Sequence, residues 1–322
     1  MPVETMTPSQ ILERYPETGG RITDYLAPTG HKWYDGELPG TTTDDWQLTA
    51  AVARAMIRSP LDMDEQVKEH VAAYGVSTKG WGRTTREAVR KVANNVHWSQ
   101  SGEHANGRGR GNGVVMKIAP AAMYYRTTEG GRTTEQMDSF YQFLFDLTAM
   151  THRTRMAMVA SLAHACAVYG CFGDHARFTR TIFGKFTFLK VDGDTVGMFW
   201  PKWHDLSVEE HDIAKRLDEL RDWKGFDFSK PEGLFGGGSC YVYDSLPFTY
   251  AWFLKDPDSI ESLYDCVSAG GDADSNGAML GSMLGARHGT AIFPQHLVDG
   301  LRNREEVLSL ADEFCDKFGI KD

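Results

Sequence analysis

Three observations predict a mainly α-helical protein. Apolar residues recur at helical spacing through most of the 322 residues, strand-like sequence is nearly confined to one stretch, and no internal repeat or low-complexity linker divides the chain. With no compositional break between the halves, the expectation is a single compact domain over residues 1–322 with a small β-hairpin insertion.

The elements follow in order. From Thr43, "TDDWQLTAAVARAMIRS" sets Leu48, Val52, Ala55 and Met56 on one face, with Thr43 placed to cap the helix start. In "TTREAVRKVANNV", Thr84 precedes Glu87 by three residues, the spacing of a capping box, and Val89, Val92 and Val96 form a stripe. Further helices are predicted over Phe140–Met150, Met156–Tyr169, Val208–Trp223, Ser245–Leu254, Ile260–Ala269, Asn276–Arg287 and Glu305–Phe318. In the last, Val307, Leu310, Ala311, Phe314 and Phe318 recur at helical spacing. The strand signal is "FTFLKVDGDTVGMFW", where Asp192 and Gly193 separate two β-prone runs as a hairpin turn would.

Composition narrows the function. A formal charge of -10 disfavours general nucleic-acid or anionic-membrane binding, since both draw on basic surface. No run approaches the roughly 20 apolar residues of a membrane span, and the start "MPVETMTPSQ" carries neither a basic segment nor an apolar run. The expected location is cytoplasmic. The five cysteines are odd in number and scattered without C-x-x-C spacing, which predicts reduced core residues.

The chemistry gathers in two acidic segments. "GGDADSNGAMLGSMLGARHG", Gly270–Gly289, opens with Asp272, Asp274 and Ser275 at a helix start, and "TTTDDW" supplies Thr43, Asp44 and Asp45 at another. Carboxylates and hydroxyls without sulfur or imidazole suit hard cations such as Mg²⁺, Mn²⁺ or Ca²⁺. Thr-Asp-Asp is also an ordinary cap, favoured by free backbone N–H groups and the helix dipole. Gly277, Gly281 and Gly285 lie on one line of the second helix. That smooth face is expected to admit a neighbouring helix and set the two acidic starts side by side. The glycine-rich loops "STKGWGR", "NGRGRGNG" and "LFGGGS" are candidate ligand loops on this helical body.

In this combination the chain resembles the ADP-ribosylglycohydrolase family. G-G-D-A-D-[TS] with small residues at every fourth position is that family's late motif, and T-D-D-T its early one. Between them lie the similar "GNGVVMKIAPAAM" (Gly111–Met123), "TAMTH" ending at His152, and "GGGSCYVYDSLPFTYAW" (Gly236–Trp252); "TAIFPQHLVDGL" follows. Two positions depart: Trp46 replaces the last threonine of T-D-D-T, and Val114 stands where serine is common. The family also begins with a helix ending in G-D-A-L-G-x-P-x-E, whereas this chain starts at "MPVE", so the resemblance implies that the first helix is lacking. Either a start codon placed too far downstream or a truncated product is expected; an N-terminal peptide extending upstream of Met1 would support the first, and one beginning at Met1 or Pro2 would oppose it.

The resemblance implies an all-helical domain holding two Mg²⁺ or Mn²⁺ ions on Thr43, Asp44, Asp45, Asp272, Asp274 and Ser275. Glu4, Asp45 and Asp272 would be catalytic, with Glu4 the mobile acid near the scissile bond. Five carboxylates, Glu4 included, set -5 against +4 from two ions. The implied reaction is hydrolysis of the C1″ glycosidic bond of ADP-ribose on a modified target, a protein or a small conjugate, with arginine-linked targets favoured by analogy with bacterial members. Gly80, Gly82, Asn112 and Gly113 would line the pyrophosphate through backbone N–H groups. Arg83, Arg108 and Arg110 could add charge. His152 would face the phosphates or distal ribose, Tyr241 would stack near the adenine, and Gly238 and Ser239 would also bind substrate. Two other classes compete: a non-catalytic ADP-ribose-binding or crystallin-like relative, and a metal-dependent nucleotide phosphohydrolase. The chemically intact ligand kit opposes the first.

Overall fold

The computed structural model describes residues 2–105, 107–127, 133–172 and 213–320. Its helices are α1 (Pro8–Arg14), α2 (Asp44–Arg58), α3 (Met63–Val76), α4 (Arg83–Ala93), α5 (Trp98–Ser101), α6 (Ala119–Thr127) and α7 (Thr134–Ala149). They continue with α8 (Arg155–Cys171), α9 (Ile213–Asp218), α10 (Val242–Lys255), α11 (Glu261–Ser268), α12 (Ala273–His288), α13 (Gln295–Asp299) and α14 (Arg304–Phe318). Among the described residues, β pairing is limited to two isolated bridges, Glu103 with His152 and Gly111 with Tyr241. The expected hairpin at Phe186–Trp200 lies outside the described residues, as does the first part of the helix expected from Val208.

The core is built around α8. Its "RMAMVASLAHACAVYGC" is apolar or small on every side, so nearly all of it is buried, and α6, α7, α10 and α12 pack against it. One apolar cluster runs from Ala50 through α8 and α10 to Phe314. A smaller cluster of Val3, Ile11, Tyr15, Ile22 and Ala273 holds the N-terminal segment against the start of α12. No helix among the described residues is long and apolar enough to cross a membrane.

Several local expectations are corrected. Helix α4 begins at Arg83 with Gly82 as its N-cap residue, so Thr84 already lies in the first turn and is not the cap. The chain leaves that helix at Ala93 through Asn95 in the left-handed region (φ 65°), which puts Val96 beyond the stripe and 38% exposed. Helix α3 has no counterpart in the sequence reading because its buried face carries Gln66, Glu69 and His70, which mask the apolar period. The glycine line of α12 does not meet α2: a Cβ on Gly277 would touch Val267 of α11, one on Gly285 would touch Phe293, and Gly281 faces open space. Cys171 and Cys266 are buried as expected, while Cys240 is exposed on a loop.

Candidate active site

The site begins with the two glycines ahead of Asp272. Gly270 and Gly271 both take positive φ (79° and 67°), and a Cβ on either would strike backbone: Met6 O at 2.0 Å from Gly270, Gly237 O at 2.1 Å from Gly271. Only glycine lets three segments meet there. The N-terminal turn is pinned to this point by two hydrogen bonds, Thr5 N to Gly271 O (2.7 Å) and Gly271 N to Met6 O (3.0 Å). From the other side, Asp272 N donates to Gly238 O (2.9 Å). Glu4 is thereby set beside Asp272 and Asp274.

Ordinary capping does not account for the acidic residues. Thr43 and Asp272 occupy the N-cap positions of α2 and α12, yet neither side chain caps its helix. Thr43 Oγ1 instead donates to Asp45 Oδ2 (2.8 Å), and Asp272 Oδ2 accepts from Asn112 Nδ2 (2.7 Å). Ser275 Oγ lies 3.6 Å from Met116 Sδ and also supports Asp45. Carboxylate oxygens of Glu4, Asp272 and Asp274 lie within 4.8 Å of one another, and so do those of Asp44, Asp45 and Asp274. Asp274 belongs to both groups.

Such crowding is costly without cations. Burial, reinforced by neighbouring carboxylates, pushes Glu4 up to about 8, Asp44 to about 9 and Asp45 to about 7. The same causes raise Asp272 well above the usual carboxylate range. Asp45 Oδ1 is buried with no hydrogen-bond partner. A buried carboxylate oxygen lacking a donor, within overlapping three-carboxylate groups, fits a divalent cation.

The cluster floors a cleft of about 750 Å³. Gly80, Gly82, Asn112, Gly113, His152 and Ser239 all line it, as do Arg83 and Arg86. His152 is buried beneath the glycine loop, with Nε2 3.6 Å from where a Cβ of Gly111 or Gly113 would sit; burial lowers it to about 3, so it is neutral. The next helix is capped by Thr154, whose side chain accepts from Ala157 N. The side chain of Asn112 holds Asp272, a contact beyond the backbone role read from sequence. Thr43, Gly238 and Tyr241 do not line the cleft. Thr43 lines a neighbouring cavity of about 360 Å³ together with Trp46, Gly238 packs against Phe248 and Asn276, and the Tyr241 ring lies 5.8 Å from Tyr243. Arg108 pairs with Glu103 (3.4 Å).

Gly80 gives the first testable consequence. At φ +81°, its Cβ would stand 2.0 Å from Tyr34 Oη and 2.5 Å from Asp44 Oδ1. Gly80→Ala is expected to displace Asp44 and weaken Mn²⁺ binding by at least about tenfold, on the scale of disturbed metal surroundings. Calorimetric titration with Mn²⁺ reads this directly, and unchanged affinity would show that Asp44 holds no ion.

A family model described as ADP-ribosylglycohydrolase matches residues 1–321. The chain belongs to the ADP-ribosylglycohydrolase family. It is thus a member of an enzyme family of hydrolases. Mouse (Mus musculus) ADP-ribosylhydrolase ARH3 is 21% identical over 291 residues, covering 84% of this chain and 75% of its own. The ADP-ribosyl-[dinitrogen reductase] glycohydrolase of Rhodospirillum rubrum is 21% identical over 293 residues, covering 91% and 81%. A protein of Archaeoglobus fulgidus with no assigned function is 23% identical over 318 residues, covering 97% and 89%. A solved ADP-ribosylglycohydrolase-related protein complex superposes with a TM-score of 0.62 at 21% identity, over 98% of this chain and 94% of the other. The all-helical ADP-ribosylglycohydrolase fold is therefore shared.

Sequence reasoning passed over His31, Lys32 and Trp33. His31 Nε2 lies 3.4 Å from Glu4 Oε2, and Lys32 and Trp33 line the cleft. "GHKWYDG" has no helical or strand period and no spaced acidic kit. Its dense aromatic and basic content in a loop was the one available signal.

Proposed function

We propose that this ADP-ribosylglycohydrolase cleaves the C1″ glycosidic bond of ADP-ribose on modified proteins, using two Mg²⁺ or Mn²⁺ ions. The whole chain would act as one domain, in keeping with the continuous core from Ala50 to Phe314. The observation that carries the reading is the pair of three-carboxylate groups sharing Asp274 on the floor of a ligand-sized cleft. Asp44, Asp45, Asp272 and Asp274 would hold the ions, with Thr43 and Ser275 supporting Asp45. Divalent ions held there would supply Lewis acidity toward a water molecule and offset the negative charge of the carboxylates.

The remaining work falls to the chain. Glycine-rich backbone at Gly80–Gly82 and Gly111–Gly113, with Arg83 and Arg86, would receive the pyrophosphate. Neutral His152 would offer its ring nitrogen without adding charge. Water adds to C1″ as the bond to the target breaks through an oxocarbenium-like state; Glu4 accepts the water's proton and passes it to the leaving nitrogen or oxygen, so that Glu4 ends as it began. An arginine-linked target is favoured by analogy with bacterial members of the family.

A product panel tests this. Arginine- and serine-ADP-ribosylated proteins are incubated with the enzyme and Mg²⁺ or Mn²⁺, and free ADP-ribose and phosphate are quantified. Release of ADP-ribose, faster from arginine, is expected. Phosphate release would indicate a phosphohydrolase, and ADP-ribose binding without any product would indicate a non-catalytic relative.

A further inference from the structure

The geometry points to His31 as the residue that positions Glu4, through an imidazole whose Nε2 lies 3.4 Å from the Glu4 carboxylate. This inference rests on the role given to Glu4 above. Its basis is the tautomer: His31 Nδ1 accepts the backbone N–H of Trp33 (3.4 Å), which leaves the proton of the neutral ring on Nε2. Nε2 lies 3.4 Å from Glu4 Oε2, and both side chains are largely removed from solvent, at 5% and 15% exposure. The ring is fixed by packing, with Trp33 and Tyr34 centroids 5.7 and 5.5 Å away.

Glu4 needs such a partner. Its backbone is fixed by the Thr5–Gly271 hydrogen bond, but its side chain stands beside Asp272 and Asp274, which can only repel it when all are ionised. An N–H group beside Glu4 Oε2 would favour one rotamer of the carboxylate, which lines the cleft. Tyr34 ties the same loop to the metal-facing side, its hydroxyl 3.5 Å from Asp44 Oδ1. One loop thus contacts both the acid and the start of α2.

His31→Phe keeps the ring packing and removes the donor; His31→Gln restores an N–H near the position of Nε2. For ADP-ribose release, His31→Phe is expected to lower kcat at least about tenfold with KM within about twofold, and His31→Gln to recover most of that loss. In a Glu4→Gln background, His31→Phe should add nothing. Equal kcat loss in both backgrounds, or no rescue by glutamine, would overturn the positioning role. ¹⁵N NMR of histidine-labelled wild type, with His31→Phe to assign the signal, reads the tautomer without catalysis. An Nε2-protonated His31 that shifts in Glu4→Gln is expected, and an Nδ1-protonated ring would refute the inference even if the enzyme acts on another substrate. If Glu4→Gln retains full kcat while the NMR signature holds, the contact stands and the catalytic role of Glu4 falls.

Discussion

Asp272→Asn is expected to lower kcat/KM for ADP-ribose release by on the order of a thousandfold while leaving the protein folded. The carboxylate is 9% exposed, held by Asn112 and shared with one of the three-carboxylate groups, so its charge matters more than its shape. Asparagine keeps the volume and still offers an oxygen to Asn112. A ligand role is distinguished from a folding role by stability without ions. At pH 8, removing one of several crowded acids relieves repulsion, so ion-free Asp272→Asn should melt at or above the temperature of ion-free wild type. Its gain in Tm on adding Mn²⁺ should shrink. Thermal melts with and without Mn²⁺ check both signs, and a lower ion-free Tm would mean that Asp272 is structural.

Removing the divalent ions is expected to make stability fall as pH rises. Glu4, Asp44 and Asp45 are raised from ordinary values near 4 to about 8, 9 and 7, and Asp272 moves in the same direction. The ion-free folded state therefore keeps protons that the unfolded chain releases above about pH 4. These groups favour folding fully below about pH 4, and the contribution is lost as pH passes through about 7 to 9. Bound cations hold the same carboxylates ionised and cancel the loss. The Tm difference between Mn²⁺-loaded and EDTA-treated protein should thus widen from pH 5 to pH 8.5, by on the order of 5–10 °C at saturating ion. A difference independent of pH would show that the carboxylates are not the ligands.

Much of this site was legible in sequence because its chemistry sits in two contiguous segments. Residues 43–45 and 270–275 each carry their oxygens at a helix start, followed in α2 by an apolar stripe and in α12 by glycines at every fourth position. Glycine positions were legible too, although for different reasons. Gly270 and Gly271 permit backbone contact with Met6 and Gly237, while the glycines of α12 adjoin α11 and Phe293. Long-range contacts were not legible. That Asn112 serves Asp272, 160 residues away, depends on the Gly111 and Asn112 backbone meeting Tyr241 and Cys240. Helix α3 was hidden because burial there is polar: Gln66, Glu69 and His70 face the interior, where His70 Nε2 meets the buried Lys117 ammonium at 3.1 Å. Hydrophobic periodicity cannot report a helix that buries polar side chains.

We propose that the carboxylate groups sharing Asp274 hold the divalent ions on which ADP-ribosyl cleavage depends. The protein is stripped with EDTA and titrated with Mn²⁺ while ADP-ribose release from an arginine-ADP-ribosylated protein is followed, with Asp272→Asn in parallel. Release should be absent without ions, rise to a plateau at two ions per chain, and remain near background in the variant. Release that persists in EDTA, or that Asp272→Asn leaves unchanged, would contradict the claim.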